Sequence, residues 1–203
     1  MEAKPNNSPA PAPATPDQLA RSLEGKKFNR DASATTVNVA EINSRGNLQR
    51  DMRVVSHDEL ARTVELAFSS EAEVQRWFGV EILDHSPGSV DLSRLRNGGA
   101  LLVNHDWDDQ VGVIESVSID RDRKGRAVVR FGKSDRAEEI FRDVVDEIRQ
   151  LVSVGYRVIE AKPDGVKDEE PIIRITRWEP YEISIVSVPA DTTVGVGRTA
   201  AEI

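Results

Sequence analysis

The sequence has no cysteine, which removes disulfides, thiolate zinc sites and a cysteine nucleophile together. No apolar run approaches the roughly 18 residues that a membrane span requires. The opening MEAKPNNSPAPAPATPD lacks the apolar stretch of a secretory signal, so an intracellular protein is expected. An excess of basic residues is missing too: 27 Lys and Arg stand against 35 Asp and Glu, a formal net charge of −8. Phosphate-backbone binding rests on clustered cations, so no specific nucleic-acid partner is expected.

Several short motifs are absent. The stretch FGKSD contains Gly-Lys-Ser, but a phosphate-binding loop needs a glycine where Ala127 stands. There is no HExxH helix for zinc and no GxSxG nucleophile elbow.

What is present divides the 203 residues into three parts. Residues 1–60 begin with a Pro, Ala, Asn and Ser-rich stretch that has too little apolar surface to offset its ordering entropy. A weak helical pattern follows around Leu19, Leu23 and Phe28, and the segment reads as disordered or weakly helical, a tether or a docking segment. Residues 61–191 form the predicted folded domain, and residues 192–203 a flexible tail.

Within 61–191 the apolar residues alternate, as in half-buried strands. TVELAFS, GVEILDH, GALLV, VGVIESVSI, RAVVRF, SVGYRVIEA, PIIRITRW and YEISIVSV make about eight. One helix interrupts them, capped by Ser134 or Asp135, with Ala137, Ile140, Phe141, Val144, Val145, Ile148 and Leu151 at helical spacing. Its apolar stripe must lie against the sheet. The predicted fold is mainly β (α+β): a closed or strongly curled antiparallel β-barrel of about eight strands with flanking helices.

Three histidines are available for chemistry. His57 sits in the polar stretch SHDEL and reads as an exposed helix-start or loop residue. His85 precedes the turn Ser86-Pro87-Gly88, and a surface role is its default. His105 differs, because Leu101-Leu102-Val103 delivers it to the end of a buried strand. It reads as a hydrogen-bonded strand-end histidine, as a general base, or as one ligand among Asp106, Asp108 and Asp109. That last set is poor for zinc and suits only a weak oxygen-loving cation. No metal and no cofactor is expected.

Ser153 follows the helix and opens a strand with apolar neighbours on both sides. Its hydroxyl either bonds a backbone carbonyl or is a nucleophile, which requires a base within hydrogen-bond reach. Glu182 shares a strand face with Ser184 and Val186, an acid on an otherwise apolar element. Pairing with an arginine or with His105 would compensate its burial.

The blocks LLVNHDWDDQVGVIESVSID, VSVGY after the helix, and RWEPYEISIVSVPAD resemble the prohead proteases of tailed bacteriophages, distant relatives of the herpesvirus maturation proteases. The likeness runs from about Thr63 to Asp191 with the blocks in order. Gln110-Val111-Gly112 departs mildly from the Pro-Ile-Gly-like segment of many relatives. The resemblance implies a herpesvirus-protease-like fold and a serine endopeptidase that cleaves scaffold and coat precursor segments, and itself, during procapsid maturation. It implies His105 as base, Ser153 as nucleophile and Glu182 as third member, since no histidine follows His105. Oxyanion donors would come from around Pro189-Ala190-Asp191 or near Val154. The implied partners are the major capsid protein and scaffold segments, with self-association, in the host cytoplasm inside the assembling procapsid, and no membrane. The alternative is a catalytically silent scaffold or capsid-assembly module on the same fold.

Overall fold

Alternating Val64, Leu66 and Phe68 are each fully buried, and this period of two recurs in strand after strand, building a sheet. The computed structural model describes residues 37–45 and 48–187. Their elements are α1 (Val39–Ser44), β1 (Leu48–Asp58), β2 (Thr63–Ser70), β3 (Val74–Arg76), β4 (Gly79–Leu83), α2 (Ser93–Arg96), β5 (Ala100–Val103), β6 (Asp106–Ile119), β7 (Lys124–Phe131), α3 (Asp135–Val145), β8 (Leu151–Lys167) and β9 (Glu170–Val186). The weak helix around Leu19 and the tail beyond Asp191 lie outside the described residues.

The fold is mainly β, but the expected closed or strongly curled antiparallel barrel is corrected. The strands form one mixed nine-stranded sheet in the order β3-β4-β9-β5-β6-β7-β2-β1-β8, with β8 also paired to β9. Both β4 and β5 lie parallel to β9, where an all-antiparallel arrangement was expected. The three-residue β3 is paired on one side only and ends the order as an edge. Parallel pairing cannot be read from hydrophobic alternation, which gives a strand's faces and not its neighbours.

The element list changes in further places. Leu48–Asp58, left to the N-terminal segment by the sequence reading, forms β1 between β2 and β8. PIIRITRW and YEISIVSV belong to a single strand that runs through Pro180, with an irregularity in the opposite strand between Gly155 and Tyr156. The helix α3 is capped by Ser134, whose side chain accepts from the Ala137 amide, and buries Ala137, Ile140, Phe141 and Val144 against the sheet. It stops at Val145. Ile148, counted in its stripe, is 71% exposed, and Leu151 begins β8.

The β8–β9 ladder positions everything that follows. Val152 faces Ile185 and Val154 faces Ile183, and all four are buried in the core. The alternate pairs, Ser153 with Ser184 and Gly155 with Glu182, therefore share the opposite face.

Candidate active site

Three elements bring the predicted residues together. Ser153 comes from β8, Glu182 from β9, and His105 from the turn between β5 and β6. Val103 pairs with Asp106, leaving Asn104 and His105 as a two-residue connection with φ of 51° and 60°. Positive φ at both central residues is what a type I′ hairpin requires, and glycine usually meets that need at the second. A histidine held there is an unusual backbone state that its surroundings must fix.

Those surroundings are on β9. The Asn104 amide donates to the Ile185 carbonyl (2.9 Å), the Ser187 amide donates to Asn104 Oδ1 (3.0 Å), and the His105 amide donates to Ser184 Oγ (3.1 Å). The turn is thus clamped beside the carboxylate two residues before Ser184. His105 Nδ1 lies 2.7 Å from Glu182 Oε1. A carboxylate accepts and cannot donate, so Nδ1 carries a proton, and in the neutral ring Nε2 keeps its lone pair. The second oxygen of Glu182 accepts from Ser184 Oγ at 2.7 Å.

Three polar atoms here have no such partner: Ser153 Oγ, His105 Nε2 and Tyr181 Oη are buried without a hydrogen bond. Ser153 is 1% exposed, so any molecule from solvent reaches its hydroxyl only through a local opening. Buried hydroxyls and imidazole nitrogens are almost always satisfied, and several orphans at one site call for a functional account.

Gly155 makes room for this arrangement. A Cβ there would lie 2.2 Å from Glu182 Oε1 and 2.6 Å from the Tyr181 ring. Any side chain would occupy the volume that the carboxylate uses.

Beside Glu182 opens a cleft of about 510 Å³ whose walls include Arg94, Leu102, Trp107 and Tyr181. The Trp107 and Tyr181 rings are 5.9 Å apart, and the Arg94 guanidinium sits 5.7 Å from the Tyr181 ring. Burial, then the Glu182 carboxylate, push the Tyr181 phenol up to about 12. Trp107 is 61% exposed, a large apolar surface left at the rim.

The other sequence candidates fall elsewhere. His57 is an exposed residue of β1 and not of a helix start or loop. His85 is corrected from a surface role to a buried one, with Nδ1 2.9 Å from the Leu83 carbonyl and Nε2 2.8 Å from Ser69 Oγ. Burial lowers its pKa. Asp109 pairs with Arg136 at 2.9 Å, and among the described residues no group of three metal-ligating side chains occurs. No helix among them is long and apolar enough to cross a membrane. The segment Pro189-Ala190-Asp191 lies outside the described residues.

Sequence reasoning missed Ser184 and Gly155. Both carried a signal: Ser184 shares a strand face with Glu182, and Gly155 follows Ser153 by two.

A serine on a strand, an imidazole with a free Nε2 and a carboxylate on its Nδ1 are the groups that acyl-transfer hydrolases combine. Residues 80–202 match the model of the caudovirus prohead serine protease family, a span that holds His105, Ser153 and Glu182. The chain belongs to that family. It is also 53% identical over 137 residues to the protein named major capsid protein of Halomonas phage phiHAP-1. That match covers 66% of this chain and 23% of the relative, so the chain spans about a quarter of that protein's length. No solved structure matches the chain significantly.

Proposed function

We propose that the chain is a serine endopeptidase of phage procapsid maturation, with Ser153 as nucleophile, His105 as base and Glu182 as orienting acid. The observation that carries this reading is the pairing of Glu182 Oε1 with His105 Nδ1 while His105 Nε2 and Ser153 Oγ stay unpartnered. A structural histidine has both nitrogens engaged, as His85 does. His105 has one held and one kept free.

The chemistry follows from that polarity. Ser153 Oγ attacks the scissile carbonyl carbon as its proton passes to His105 Nε2, and Glu182 balances the imidazolium charge. The tetrahedral intermediate collapses, and the leaving amine takes the proton from Nε2. Water then attacks the acyl-enzyme by the same route and frees the carboxylate product. The hydrogen bond between serine and histidine forms when substrate closes the site, as is common for catalytic contacts absent without ligand. The cleft rimmed by Trp107 and Tyr181 offers an aromatic wall to a substrate side chain.

The substrates in this reading are scaffold and coat precursor segments and the chain itself, inside the procapsid. High local concentration there lets slow turnover suffice. A capsid-assembly role without cleavage is the second reading, favoured by the name of the phiHAP-1 relative, major capsid protein. Mass spectrometry of the intact chain and of Ser153→Ala, alone and co-expressed with coat and scaffold proteins, tests the choice. Fragments that require Ser153 support the protease. Equal fragments from both remove Ser153 as nucleophile, and intact chains within assembled shells favour the silent module.

A further inference from the structure

Ser184 is fully buried and does not line the cleft. Its hydroxyl is nonetheless fully committed to the two residues on which the mechanism turns. It donates to Glu182 Oε2 (2.7 Å) and accepts from the His105 amide (3.1 Å). One side chain therefore ties together the acid and the backbone of the base.

From this geometry we infer that Ser184 is a positioning residue: it fixes the rotation of the Glu182 carboxylate and the seat of the His105 turn, so that Nε2 points where Ser153 needs it. The inference rests on the protease reading for its effect on rate, but its geometric half does not. A carboxylate has a broad, roughly two-fold terminal torsion, so a single bond from Oε1 to Nδ1 leaves its plane poorly set. The second bond, from Ser184 to Oε2, removes that freedom. Ser184 Oγ also accepts the backbone amide of His105, the turn residue at φ 60°.

A purely structural serine at this position would bond a backbone carbonyl of its own sheet, and its loss would change stability without touching the imidazole. Ser184 instead bonds two groups that sequence separates by 77 residues. Small misplacements of a reacting group are worth up to about 100-fold in rate. Loss of the hydroxyl should therefore act on turnover and not on substrate affinity.

The test uses the full chain with Ser184→Ala, Ser184→Thr and Glu182→Ala, and the double variant Ser184→Ala/Glu182→Ala. The first readout is the proton NMR resonance of the His105 imidazole Nδ1–H, assigned by its disappearance in His105→Gln. The second is Ser153-dependent cleavage resolved into kcat and KM. We expect Ser184→Ala to shift or broaden the imidazole resonance and to lower kcat by about 10–100-fold with KM little changed. Ser184→Thr, which keeps a hydroxyl, recovers most of both. With Glu182 already replaced, Ser184→Ala costs only a few-fold more, because most of its effect runs through the carboxylate. An unchanged resonance in folded Ser184→Ala overturns the inference, as does an equal fractional loss of kcat with and without Glu182. If Ser184→Ala does not fold, Ser184→Thr decides: a resonance and rate unlike the parent's would overturn the role assigned to the hydroxyl. Absence of any Ser153-dependent cleavage overturns the protease reading alone, and the resonance still judges the geometry.

Discussion

Ser153 on β8 faces Ser184 on β9 in register, across the same ladder that sets Gly155 against Glu182. This pairing gathers a small polar patch on one face of two strands whose other face, Val152, Val154, Ile183 and Ile185, is solid core. Rigid strands hold such a patch more tightly than loops can, and the histidine alone arrives on a turn.

Replacing Ser153 by Ala should stabilise the protein while ending cleavage. The hydroxyl is buried with no partner, and its removal relieves a desolvation penalty of about 1–3 kcal/mol. Urea unfolding should show a raised midpoint for Ser153→Ala. A lowered midpoint would mean that the hydroxyl has a structural partner after all.

Glu182→Gln and Asp106→Ala separate the two acids nearest to His105 in sequence or space. The first removes the acceptor of the Nδ1 proton and should lower kcat by about 10³–10⁴-fold, by analogy with the third member of other triads. Asp106 is exposed and accepts from the Asp108 amide at 2.9 Å, so its loss should leave cleavage near the parent level. Steady-state kinetics on one peptide substrate distinguishes these outcomes, and the reverse pattern would assign Asp106 as the orienting acid.

Gly155→Ala tests whether space is the function of that glycine. Its new methyl would meet Glu182 Oε1 and the Tyr181 ring inside contact distance. We expect a loss of about 1–3 kcal/mol in stability from overpacking, together with a displaced carboxylate and a larger fall in kcat than in thermal midpoint. Gly155→Ala that folds and cleaves normally would show that the ladder absorbs the methyl.

The buried His85 gives the fold an acid-sensitive point. Its pKa in the folded state lies below the ordinary value near 6.5, because burial opposes the charged form. Above about pH 6.5 the imidazole is neutral in both states and its contribution to stability is complete. As pH falls below that value the unfolded chain takes up a proton that the folded one refuses, and stability declines. Urea midpoints between pH 8 and 5 should fall for the parent chain and fall less steeply for His85→Gln.

The three candidate residues stood out because they interrupt strong patterns (a histidine after Leu101-Leu102-Val103, a serine after a helix, an acid in YEISIVSV), but only the family resemblance grouped them as a triad. The face assignments of β9 held for the same reason, since alternation fixes them. Neighbour relations were not legible. Nothing local announces that β5 runs parallel to β9, and this arrangement carries the Asn104-His105 turn to Glu182. His85 was misjudged because the Ser-Pro-Gly turn after it suggested surface, while Ser69, from a distant strand, satisfies its ring. The paired charges Arg50 and Glu81, both buried with Tyr156 OH donating to the carboxylate at 2.7 Å, were equally silent. Arg50 lies in the stretch that reads as a tether.

The 77 residues between His105 and Glu182 also set a clock. Synthesis runs from the N-terminus at about 5–20 residues per second, so Glu182 is added roughly 4–15 s after His105. Ser153 is made in that interval too, before the carboxylate of the proposed triad exists. Because β9 is the last described strand and seats both the turn and Ser184, the His105 turn has no seat in a growing polypeptide until that strand has emerged. In the protease reading, translation order alone keeps a nascent copy from cutting its neighbours.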